Sequence, residues 1–574
     1  MSSDWWRGAT LYQIYPRSYA DANGDGVGDL AGVTARLPYV ASLGVDGIWL
    51  SPFFPSPMRD FGYDVADHLG VDPMFGTGAD FDALLAEAHR LGLKVVIDQV
   101  WSHTAAEHPW FQESRASRDN PKADWYVWAD ARPDGSPPTN WQSWMGGSTW
   151  TWEPRRGQYY LHNFLPQMPD LNLHQPDVQD ALLEVGRFWL ARGVDGFRLD
   201  TANYYCHDPQ LRDNPPQPPE RRGDVPAAMQ QHLFNVCQPQ TLPFLARVRS
   251  LLDEFGATGG QGPGSCLAER HPLRGSTDVP AGGSARFAVA EIGSHDNLGR
   301  MIEYTRGHDR LHTAYSFLLL GSQPRADALA DMMRPWQEGE GATAWPSWAL
   351  SNHDAPRVAT RWARGDAARA RQLLALQACL RGTVFLYQGE ELGLLQSDIA
   401  FADLQDPFGK ARWPRDKGRD GCRTPMPWVA DHPAGGFTTG RPWLPSDAAH
   451  RALSVDRQEA DPGSTLHFTR RVLALRRAHP ALRLGAFQTL YADADLLVCL
   501  RLHEADTVLA AFNLGEHAAT HDLGWAPQPG GDALAVNGPA LDGARLVLPP
   551  GSALIVPLQH GPHPPCAAAH PAEP

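Results

Sequence analysis

The sequence lacks three features that would each assign it to a large class of proteins: paired cysteines, a long apolar run and an excess of positive charge. Its seven cysteines, an odd number, show no CxxC spacing, so neither a disulfide framework nor a cysteine zinc site is expected. An apolar run of about 18 residues, the length that spans a membrane, does not occur. The net charge of −15 argues against nucleic acid or an anionic membrane as a partner.

The N-terminus and the cysteine pattern also predict a compartment. Residues 1–7 do not form a basic segment followed by an apolar one, so no signal peptide is expected. The cysteines lie scattered at positions 206, 237, 266, 379, 422, 499 and 566. Such scatter is typical of reduced thiols, and we expect a cytoplasmic protein.

The composition that is present is typical of a globular protein. With 574 residues, of which 43% are hydrophobic and 20% charged, the chain is long enough for two or three domains with large cores. Twenty tryptophans are present, and core packing is the expected place for most of them. Because flat aromatic faces also stack on sugar rings, the number slightly favours a carbohydrate site.

Strand-like and helix-like segments alternate along most of the chain. Phe81, Leu84, Leu85, Ala88 and Leu91 are spaced as one face of an amphipathic helix, and residues 182–189 behave similarly. Such alternation indicates a parallel sheet, and eight repeats indicate a closed (β/α)8 barrel. The eight strand-like runs are 9–15, 45–51, 94–101, 194–200, 286–292, 313–320, 348–352 and 383–387.

Two parts of the chain interrupt this alternation. Residues 104–172, rich in Trp, Pro, Gly and Asp, predict a small irregular domain inserted after the third strand, so that 1–103 and 173–460 form the barrel. Short alternating runs after a helix at 463–478 predict an antiparallel β domain over 461–558. Residues 559–574 are expected to be a disordered tail, and 213–225 and 255–284 are expected to be long surface loops.

Four of the strand-like runs have a carboxylate near or just beyond their carboxyl ends: Asp98, Asp200, Glu291 and Asp354. A buried strand has no structural use for a carboxylate, because desolvating one costs several kcal/mol unless it is paired. In a (β/α)8 barrel the carboxyl ends of the strands build the active site, so we expect these groups to converge. For each residue alone, capping of the next helix is an equally good explanation.

Two facing carboxylates are the machinery of glycoside hydrolysis. Asp200 is the candidate nucleophile, because Arg198 lies two residues away on the same strand face and would hold it ionised. Glu291 is the candidate acid/base, since the apolar run before it would raise its pKa. Asp98, His103, His353 and Asp354 would surround them, with Asp354 also helping to keep Glu291 protonated.

These residues resemble glycoside hydrolase family 13, the α-amylase family, over roughly residues 5–430. Ser102 stands where the family usually has Asn. The resemblance implies a retaining mechanism with Asp200 as nucleophile, Glu291 as acid/base and Asp354 as transition-state stabiliser, on a three-domain fold. The matching stretches are 98–103 (DQVWSH), 196–200 (GFRLD), Glu291, 352–354 (NHD) and 168–172 (MPDLN).

Other stretches resemble the α-glucosidase branch of that family. Residues 62–64 (GYD) look like the segment whose tyrosine, Tyr63, stacks under the terminal glucose and whose aspartate, Asp64, holds its 4-hydroxyl. Arg423, in a stretch like RTPMxW, would pair with that aspartate, although Arg412 and Arg419 lie nearby. Residues 388–393 (QGEELG) also resemble this branch. A pocket closed in this way implies an exo-acting enzyme.

Three further side chains are candidates for sugar contact or linkage choice. In this branch, Thr or Ala directly after the nucleophile goes with α-1,4 cleavage and Val with α-1,6, so Thr201 suggests maltose-type substrates. The alternative is that Thr201 is merely a β-former at a strand end. Phe164 and Phe54 could contact sugar, but core packing explains each equally well.

The segment 21–29 has the spacing of a calcium loop, with Asp21, Asn23, Asp25, Val27 and Asp29 at alternate positions. It differs from an EF-hand because Gly32 replaces the final bidentate glutamate. In the family this loop binds a structural cation, so Ca2+ is expected, with Mg2+ possible; the alternative is a turn that needs no metal. The family's chemistry needs only carboxylates, so no organic cofactor is expected.

The sequence thus predicts a retaining exo-α-glucosidase that acts on short α-1,4-linked glucosides. The intermediate on Asp200 could pass to water or to a hydroxyl acceptor, so an α-glucosyltransferase is the close alternative. Sucrose-acting and α-1,6-acting relatives, or sugar isomerases, share the same scaffold. A catalytically inactive binding subunit is disfavoured, because Asp200, Glu291 and Asp354 are all present.

Overall fold

The protein is described by a computed structural model that covers residues 4–257 and 285–559. Within these residues no helix is both long and apolar enough to cross a membrane. The five cysteines that the structure describes are free thiols. The predicted disordered tail lies, apart from Gln559, outside the described residues, as does most of the predicted loop 255–284.

Strands and α-helices alternate through most of the chain. The strands are β1 (Thr10–Ile14), β2 (Gly47–Leu50), β3 (Lys94–Gln99), β4 (Trp128–Ala129), β5 (Trp150–Glu153), β6 (Gln158–Leu161), β7 (Gly196–Leu199), β8 (Phe287–Ile292), β9 (Thr313–Ser316), β10 (Ser347–Ala349), β11 (Thr383–Tyr387), β12 (Ala486–Ala492), β13 (Leu496–His503), β14 (Asp506–Asn513), β15 (Ala519–Asp522), β16 (Leu534–Val536), β17 (Ala540–Asp542), β18 (Arg545–Leu548) and β19 (Ala553–Leu558). The helices are α1 (Leu30–Ser42), α2 (Gly78–Arg90), α3 (Pro109–Ser114), α4 (Pro176–Ala191), α5 (Thr241–Ala257), α6 (Asn297–Thr305), α7 (Ala326–Met333), α8 (Val358–Arg361), α9 (Ala367–Cys379), α10 (Pro407–Arg412), α11 (Ala448–Ala452), α12 (Val455–Ala460), α13 (Thr465–Ala478) and α14 (Pro480–Leu484).

Eight parallel strands form the central sheet, in the order β10-β11-β1-β2-β3-β7-β8-β9. A parallel bridge between Ala314 in β9 and Pro346, next to β10, joins the two ends of the sheet. The predicted (β/α)8 barrel is therefore confirmed. Seven of the eight predicted strands were longer than the observed ones, and the eighth, 383–387, matches β11. The sixth, for example, stops at Ser316, because residues 317–319 turn into a 3-10 helix.

The predicted helix faces are the ones that pack on the barrel. In α2, Phe81, Leu84, Leu85 and Ala88 are buried, and a capping box between Thr77 and Asp80 fixes where the helix begins. In α4, the predicted apolar positions Leu182, Val185, Phe188 and Trp189 are buried. The helical period in these segments thus correctly predicted which side chains face the core.

The segment inserted after β3 contains a small three-stranded antiparallel sheet in the order β4-β6-β5. An antiparallel bridge between His103 and Asp170 joins the start of the segment to its end. The segment therefore leaves and re-enters the barrel at one place, the carboxyl end of β3.

The C-terminal strands form two antiparallel sheets, as predicted: a five-stranded sheet, β12-β13-β14-β19-β16, and a three-stranded one, β15-β18-β17. Two buried arginines tie this part to the barrel. Arg476 donates hydrogen bonds to the carbonyl oxygens of Gly8, Ala378 and Gly382, and Arg501 to that of Cys379. Because these carbonyls are buried, the barrel relies on the C-terminal part for their donors. The domain boundaries given above stay predictions.

Candidate active site

The carboxylates predicted to converge lie together at the carboxyl end of the barrel. Asp98 is in β3, Asp200 follows β7 directly, Glu291 is in β8 and Asp354 lies shortly after β10. Asp98, Asp200 and Glu291 are buried, whereas the Asp354 side chain is 22% exposed. The parallel strands bring these groups to one rim because all of them end there.

Arg198 connects three of the carboxylates. Its Nη1 lies 2.6 Å from Asp200 Oδ1 and 2.9 Å from Asp98 Oδ1, and its Nη2 lies 2.5 Å from Glu291 Oε1. The guanidinium is fully buried and also donates to the Tyr315 hydroxyl. One arginine thus holds Asp200 and Glu291 close to each other.

Burial raises the pKa of Asp200 to about 7, and Arg198 lowers it by less. Arg198 was expected to hold Asp200 ionised; the guanidinium does lower the pKa of Asp200, but desolvation outweighs its charge. Burial also raises the pKa of Glu291 to about 7, against the effect of Arg198, as predicted for an acid/base. Two such close carboxyls lose their protons one after the other.

Both carboxyl groups accept hydrogen bonds. Glu291 accepts from the Tyr315 hydroxyl at 2.8 Å and from the Thr201 N–H at 3.4 Å. Both oxygens of Asp200 accept, Oδ1 from Arg198 and Oδ2 from the Thr201 hydroxyl at 3.1 Å, which favours its charged form. The nearby Asp354 charge raises the pKa of Glu291, as predicted. The Asp354 charge raises the pKa of Asp200 too, so the two carboxyls titrate as a pair that can hold a single proton near neutral pH.

Asp354 stays ionised. Burial raises its pKa, but the adjacent His353 ring and the charges of the Arg419 and Arg423 guanidinium groups outweigh that effect and hold the pKa well below its usual range. Arg423 Nη2 lies 2.7 Å and Arg419 Nη1 3.3 Å from Asp354 Oδ1, and His353 Nε2 lies 3.1 Å from Oδ2. Burial lowers the pKa of His353 to about 3, so its ring is neutral.

The predicted pair between Asp64 and Arg423 is not the one that forms. Asp64 accepts hydrogen bonds from the backbone N–H groups of Arg59 and Asp60 and from the Ser56 hydroxyl, which orders the loop after β2. Arg423 instead binds Asp354 and donates to the backbone carbonyl of His353. The prediction was wrong because hydrogen bonds within its own loop already satisfy Asp64.

The pair that reaches the cavity is Asp60 with Arg419. The Arg419 guanidinium contacts Asp60 and lies 2.9 Å from Asp406 and 3.3 Å from Asp354. Asp60 was missed by the sequence analysis, whereas Arg419 was an open alternative to Arg423. Each lies four residues before the residue named from the sequence, so in both segments the side chain that lines the cavity is a neighbour of the predicted one.

A cavity of about 350 Å³ opens at this rim. Of the predicted substrate-binding residues, Tyr63, His103, Phe164 and Thr201 line it, together with Asp200, Glu291 and Asp354. The others are fully buried behind this wall and support it: Asp64, Asp98, Arg198, His353 and Arg423. Asp98, for example, accepts hydrogen bonds from Tyr63, Trp49 and Arg198.

The aromatic residues of the site are fixed by stacking. The Tyr63 ring stacks on His353, with centroids 5.1 Å apart and planes at 4°. Phe164 packs 5.3 Å from His103, whose pKa burial lowers to about 4, so both rings present uncharged faces. Phe54 packs on Phe53 and Trp189, and for this residue the core-packing alternative holds.

Thr201 is not a strand residue. It has φ +40° and ψ +45°, in the left-handed region, whereas β7 ends at Leu199. A β-branched residue rarely adopts this conformation, and such strain clusters at functional sites. The alternative of a simple β-former is therefore wrong, since the Thr201 hydroxyl binds Asp200 and lies 2.9 Å from the Ser102 hydroxyl.

The loop 21–29 folds around its own carboxylates. Asp21 accepts from the N–H groups of Gly24 and Gly26, and Asp25 accepts from Val27. Asp29 accepts from Gly32 as the N-cap of α1. Over residues 4–257 and 285–559, no group of three or more His, Cys, Asp or Glu side chains is placed to hold a metal ion. The ligand atoms available here are all oxygens, the type that Ca2+ and Mg2+ prefer. Hydrogen bonds from Asn23, Gly24, Gly26 and Thr438 use all four acceptor sites of Asp21. Asp25 and Asp29 accept fewer hydrogen bonds and can offer lone pairs to a cation.

Comparisons with known proteins agree with this geometry. Residues 13–485 match the family described as "Alpha amylase, catalytic domain". A "Probable alpha-glucosidase" of Rhizobium meliloti (strain 1021) is 52% identical over 535 residues, which cover 91% of each chain. An "Oligo-1,6-glucosidase" of Heyndrickxia coagulans is 34% identical, covering 91% of this chain and 94% of the relative.

Among solved structures, that of an "alpha-glucosyl transfer enzyme" is similar to this fold with a TM-score of 0.86. It is 49% identical in sequence, and the match covers 96% of this chain and 99% of the other. The family description matches most of the chain. The strand ends of the barrel also bring Asp200, Glu291 and Asp354 together. The chain belongs to the α-amylase family, glycoside hydrolase family 13, and is an enzyme that acts on glucosides.

Proposed function

We propose that the protein is a retaining, exo-acting α-glucosidase for short α-1,4-linked glucosides, with a capacity for glucosyl transfer. The observation that carries this proposal is the pair Asp200 and Glu291, held by one buried guanidinium at the wall of a cavity of about 350 Å³. Retaining glycosidases need two carboxyl groups close together, one charged and one protonated.

The reaction follows from these roles. Glu291 gives its proton to the glycosidic oxygen while an Asp200 oxygen attacks the anomeric carbon, so that the bond to the leaving group breaks and a glucosyl ester forms. Glu291 then takes a proton from water or from an acceptor hydroxyl, whose oxygen displaces Asp200. Asp354, ionised and 22% exposed, stabilises the positive charge that develops on the sugar ring.

The polar wall of the cavity supports exo action. Asp60, Arg419 and Asp354 form a network of charged hydrogen bonds at the cavity wall, suited to the hydroxyls of a terminal glucose. The cavity volume lies near the lower end of the roughly 300–1,000 Å³ typical of ligand pockets, which suits a short substrate.

Glucosyl transfer is supported by the rest of the cavity lining, which is largely apolar. Trp144, Met145, Val225, Phe317 and Phe408 line the same cavity as the catalytic carboxylates. An apolar wall can hold an acceptor next to the intermediate and displace water from it. A mainly transferring enzyme is therefore the second candidate, and the name of the similar structure, an α-glucosyl transfer enzyme, favours it.

An α-1,6-acting or sucrose-acting enzyme is the third candidate. The relative of Heyndrickxia coagulans carries the name oligo-1,6-glucosidase. Against α-1,6 cleavage stands Thr201, whose hydroxyl rather than a methyl group faces Asp200.

We also propose that the loop 21–29 binds a structural Ca2+, or Mg2+ in its place. Asp21, Asn23, Asp25 and Asp29 would supply side-chain oxygens and Val27 its carbonyl. Thermal unfolding in EDTA and in excess Ca2+ tests this: the melting temperature should be lower in EDTA for the wild type and equal in both for Asp21→Ala. Equal temperatures for the wild type would refute the site.

A cytoplasmic location is proposed as well, on the free thiols of the described cysteines. Cell fractionation with activity assays would test it, and activity confined to the medium or to an extracytoplasmic fraction would contradict it.

The deciding experiment is product analysis after incubation with concentrated maltose, with isomaltose in parallel. Glucose alone from maltose would establish a hydrolase. Trisaccharides, or glucosides of an added alcohol, would establish transfer as the main reaction. Turnover of isomaltose without turnover of maltose would refute the α-1,4 proposal while leaving the catalytic residues unchanged.

A further inference from the structure

Trp144 stands out in the apolar part of the cavity wall. It belongs to the inserted segment, its side chain is 37% exposed, and it lines the cavity that holds Asp200 and Glu291. An exposed tryptophan at a cavity wall is a large, rigid contact surface.

Four separate parts of the chain hold Trp144 in place. Its indole N–H donates to the Tyr204 hydroxyl at 2.5 Å, and its ring stacks on His232 at 5.2 Å and 22°. Its backbone N–H donates to the Asn163 carbonyl at 3.4 Å, and its own carbonyl accepts from Arg412 at 3.3 Å. So many constraints on an exposed side chain indicate a preorganised binding surface.

The contacts of Trp144 also connect it to the catalytic end of the cavity. Tyr204 lies four residues after the nucleophile Asp200, and its ring packs 5.4 Å from Phe164. Phe164 in turn packs on His103. This row of four residues, His103, Phe164, Tyr204 and Trp144, thus runs from the catalytic end of the cavity to the indole.

The loop that carries His232 is docked through buried amides. Asn214 donates to Asn235 at 2.9 Å, and Asn235 donates to Asn163 at 3.1 Å. Asn163 is the residue whose carbonyl receives the Trp144 N–H. Because buried amides are costly to leave unpaired, this ladder fixes the loop against the inserted segment. It thereby holds in place two of the four residues that contact Trp144, namely His232 and Asn163.

We propose that Trp144 selects the acceptor: its indole face is the contact for a hydroxyl compound that presents a flat apolar face, either an aromatic ring or the C–H face of a pyranose. This inference rests on the proposed function and adds to it the class of acceptor. In the transfer step the acceptor oxygen bonds to the anomeric carbon, the bond to Asp200 breaks, and the acceptor proton goes to Glu291. Tyr204 acts as a positioning residue through its hydrogen bond to the indole.

The test uses α-glucosyl fluoride as donor, because its leaving group is too small to touch the acceptor wall. Fluoride release then measures formation of the intermediate, and products are measured with hydroquinone, with methyl β-glucoside and with methanol. The variants are Trp144→Ala, Trp144→Phe and Tyr204→Phe. The matched control is Trp152→Ala, since Trp152 is 45% exposed in the same inserted segment and does not line the cavity.

In Trp144→Ala we expect the ratio of transfer to hydrolysis to fall about tenfold with hydroquinone, with methyl β-glucoside or with both. The apparent KM of the affected acceptor should rise. The acceptor whose ratio of transfer to hydrolysis falls is the one that the indole recognises. Transfer to methanol and fluoride release should stay within about twofold. Trp144→Phe and Tyr204→Phe should give smaller falls in the same direction, and Trp152→Ala none.

Unchanged ratios in Trp144→Ala, or an equal fall for methanol and for fluoride release, would overturn the inference. A wild-type enzyme that releases fluoride but forms no glucoside would also overturn it, while leaving the glucosidase standing. A wild type that releases no fluoride would refute the proposed function itself.

Discussion

The two ends of the cavity are built from different chemistry. At the catalytic end, charged side chains such as Asp60, Asp354 and Arg419 are held by one another at hydrogen-bond distances. At the other end, Trp144, which is 37% exposed, presents an aromatic face. Charged hydrogen bonds demand one geometry of donors and acceptors, whereas an apolar face accepts any surface of suitable shape.

This difference explains how one enzyme can be specific for the glucosyl group of its donor and yet accept a range of acceptors. A sugar that lacks one hydroxyl desolvates polar atoms at the catalytic end without giving them a hydrogen-bond partner, so it would be rejected strongly there. A missing methylene against an apolar wall costs only about 1–3 kcal/mol. Variants at the two ends should therefore differ in kind as well as in size.

The largest effect is expected from Asp200→Asn. The amide keeps the shape but cannot attack the anomeric carbon, so turnover of maltose should fall by about 10⁴-fold or more. Calorimetric titration should still detect maltose binding, and the melting temperature should change little. A near-normal rate would remove Asp200 as the nucleophile.

Glu291→Ala separates the two steps of the reaction. With α-glucosyl fluoride, which needs no acid, the intermediate should still form, while its hydrolysis slows by roughly 10²- to 10⁴-fold. Added azide, which needs no base, should restore turnover and yield α-glucosyl azide. The wild type should lose kcat/KM for maltose as pH rises through about 7, because the Glu291 proton is lost there. A wild-type profile without that alkaline limb, or no azide product from the variant, would contradict the assignment.

Arg419→Gln and Arg412→Gln compare the two ends of the cavity directly. Arg419 binds Asp60, Asp354 and Asp406, so its loss should lower kcat/KM by about 10²-fold for maltose and α-glucosyl fluoride alike. Arg412 contacts Phe408 and the Trp144 carbonyl, so its loss should leave fluoride release within about threefold. Equal losses in the two variants would remove the distinction between the ends.

A smaller effect than that of Arg419→Gln is expected from Thr201→Val. Loss of the hydroxyl removes a hydrogen bond to Asp200, so activity on both linkages should fall by about tenfold. The ratio of isomaltose to maltose turnover should nevertheless rise several-fold. Ser102→Ala, which removes only the neighbour of Thr201, is the control and should leave the ratio unchanged. An unchanged ratio in Thr201→Val would exclude Thr201 as a linkage determinant.

The barrel was predictable because its signals are local. The helical spacing of Phe81, Leu84 and Leu85 and the apolar runs that end in Asp98, Asp200 and Glu291 are each contained in a few residues. The choice between Asp60 and Asp64 was not predictable in this way. It depends on which carboxylate its own loop satisfies, and that is decided by the Ser56 and Arg59 donors in three dimensions.

The residues of the acceptor end could not be predicted from the sequence for a related reason. Trp144, His232 and Arg412 come from segments far apart in the chain, and none belongs to a motif that could be quoted. Their meeting follows from the docking of the inserted segment and the loop that carries His232, through buried amides such as Asn163 and Asn235. Amide ladders have no periodic signature, so residue order alone does not reveal them.

The buried arginines of the C-terminal part set a limit on how the enzyme can be reshaped. A chain shortened before α13 would lose Arg476 and Arg501 and leave the carbonyls of Gly8, Ala378 and Gly382 without these donors. The catalytic barrel is thus not a detachable module, even though its chemistry lies at the opposite ends of the same strands. Changes to acceptor scope are therefore better sought among single side chains such as Trp144 than by trimming the protein to a smaller catalyst.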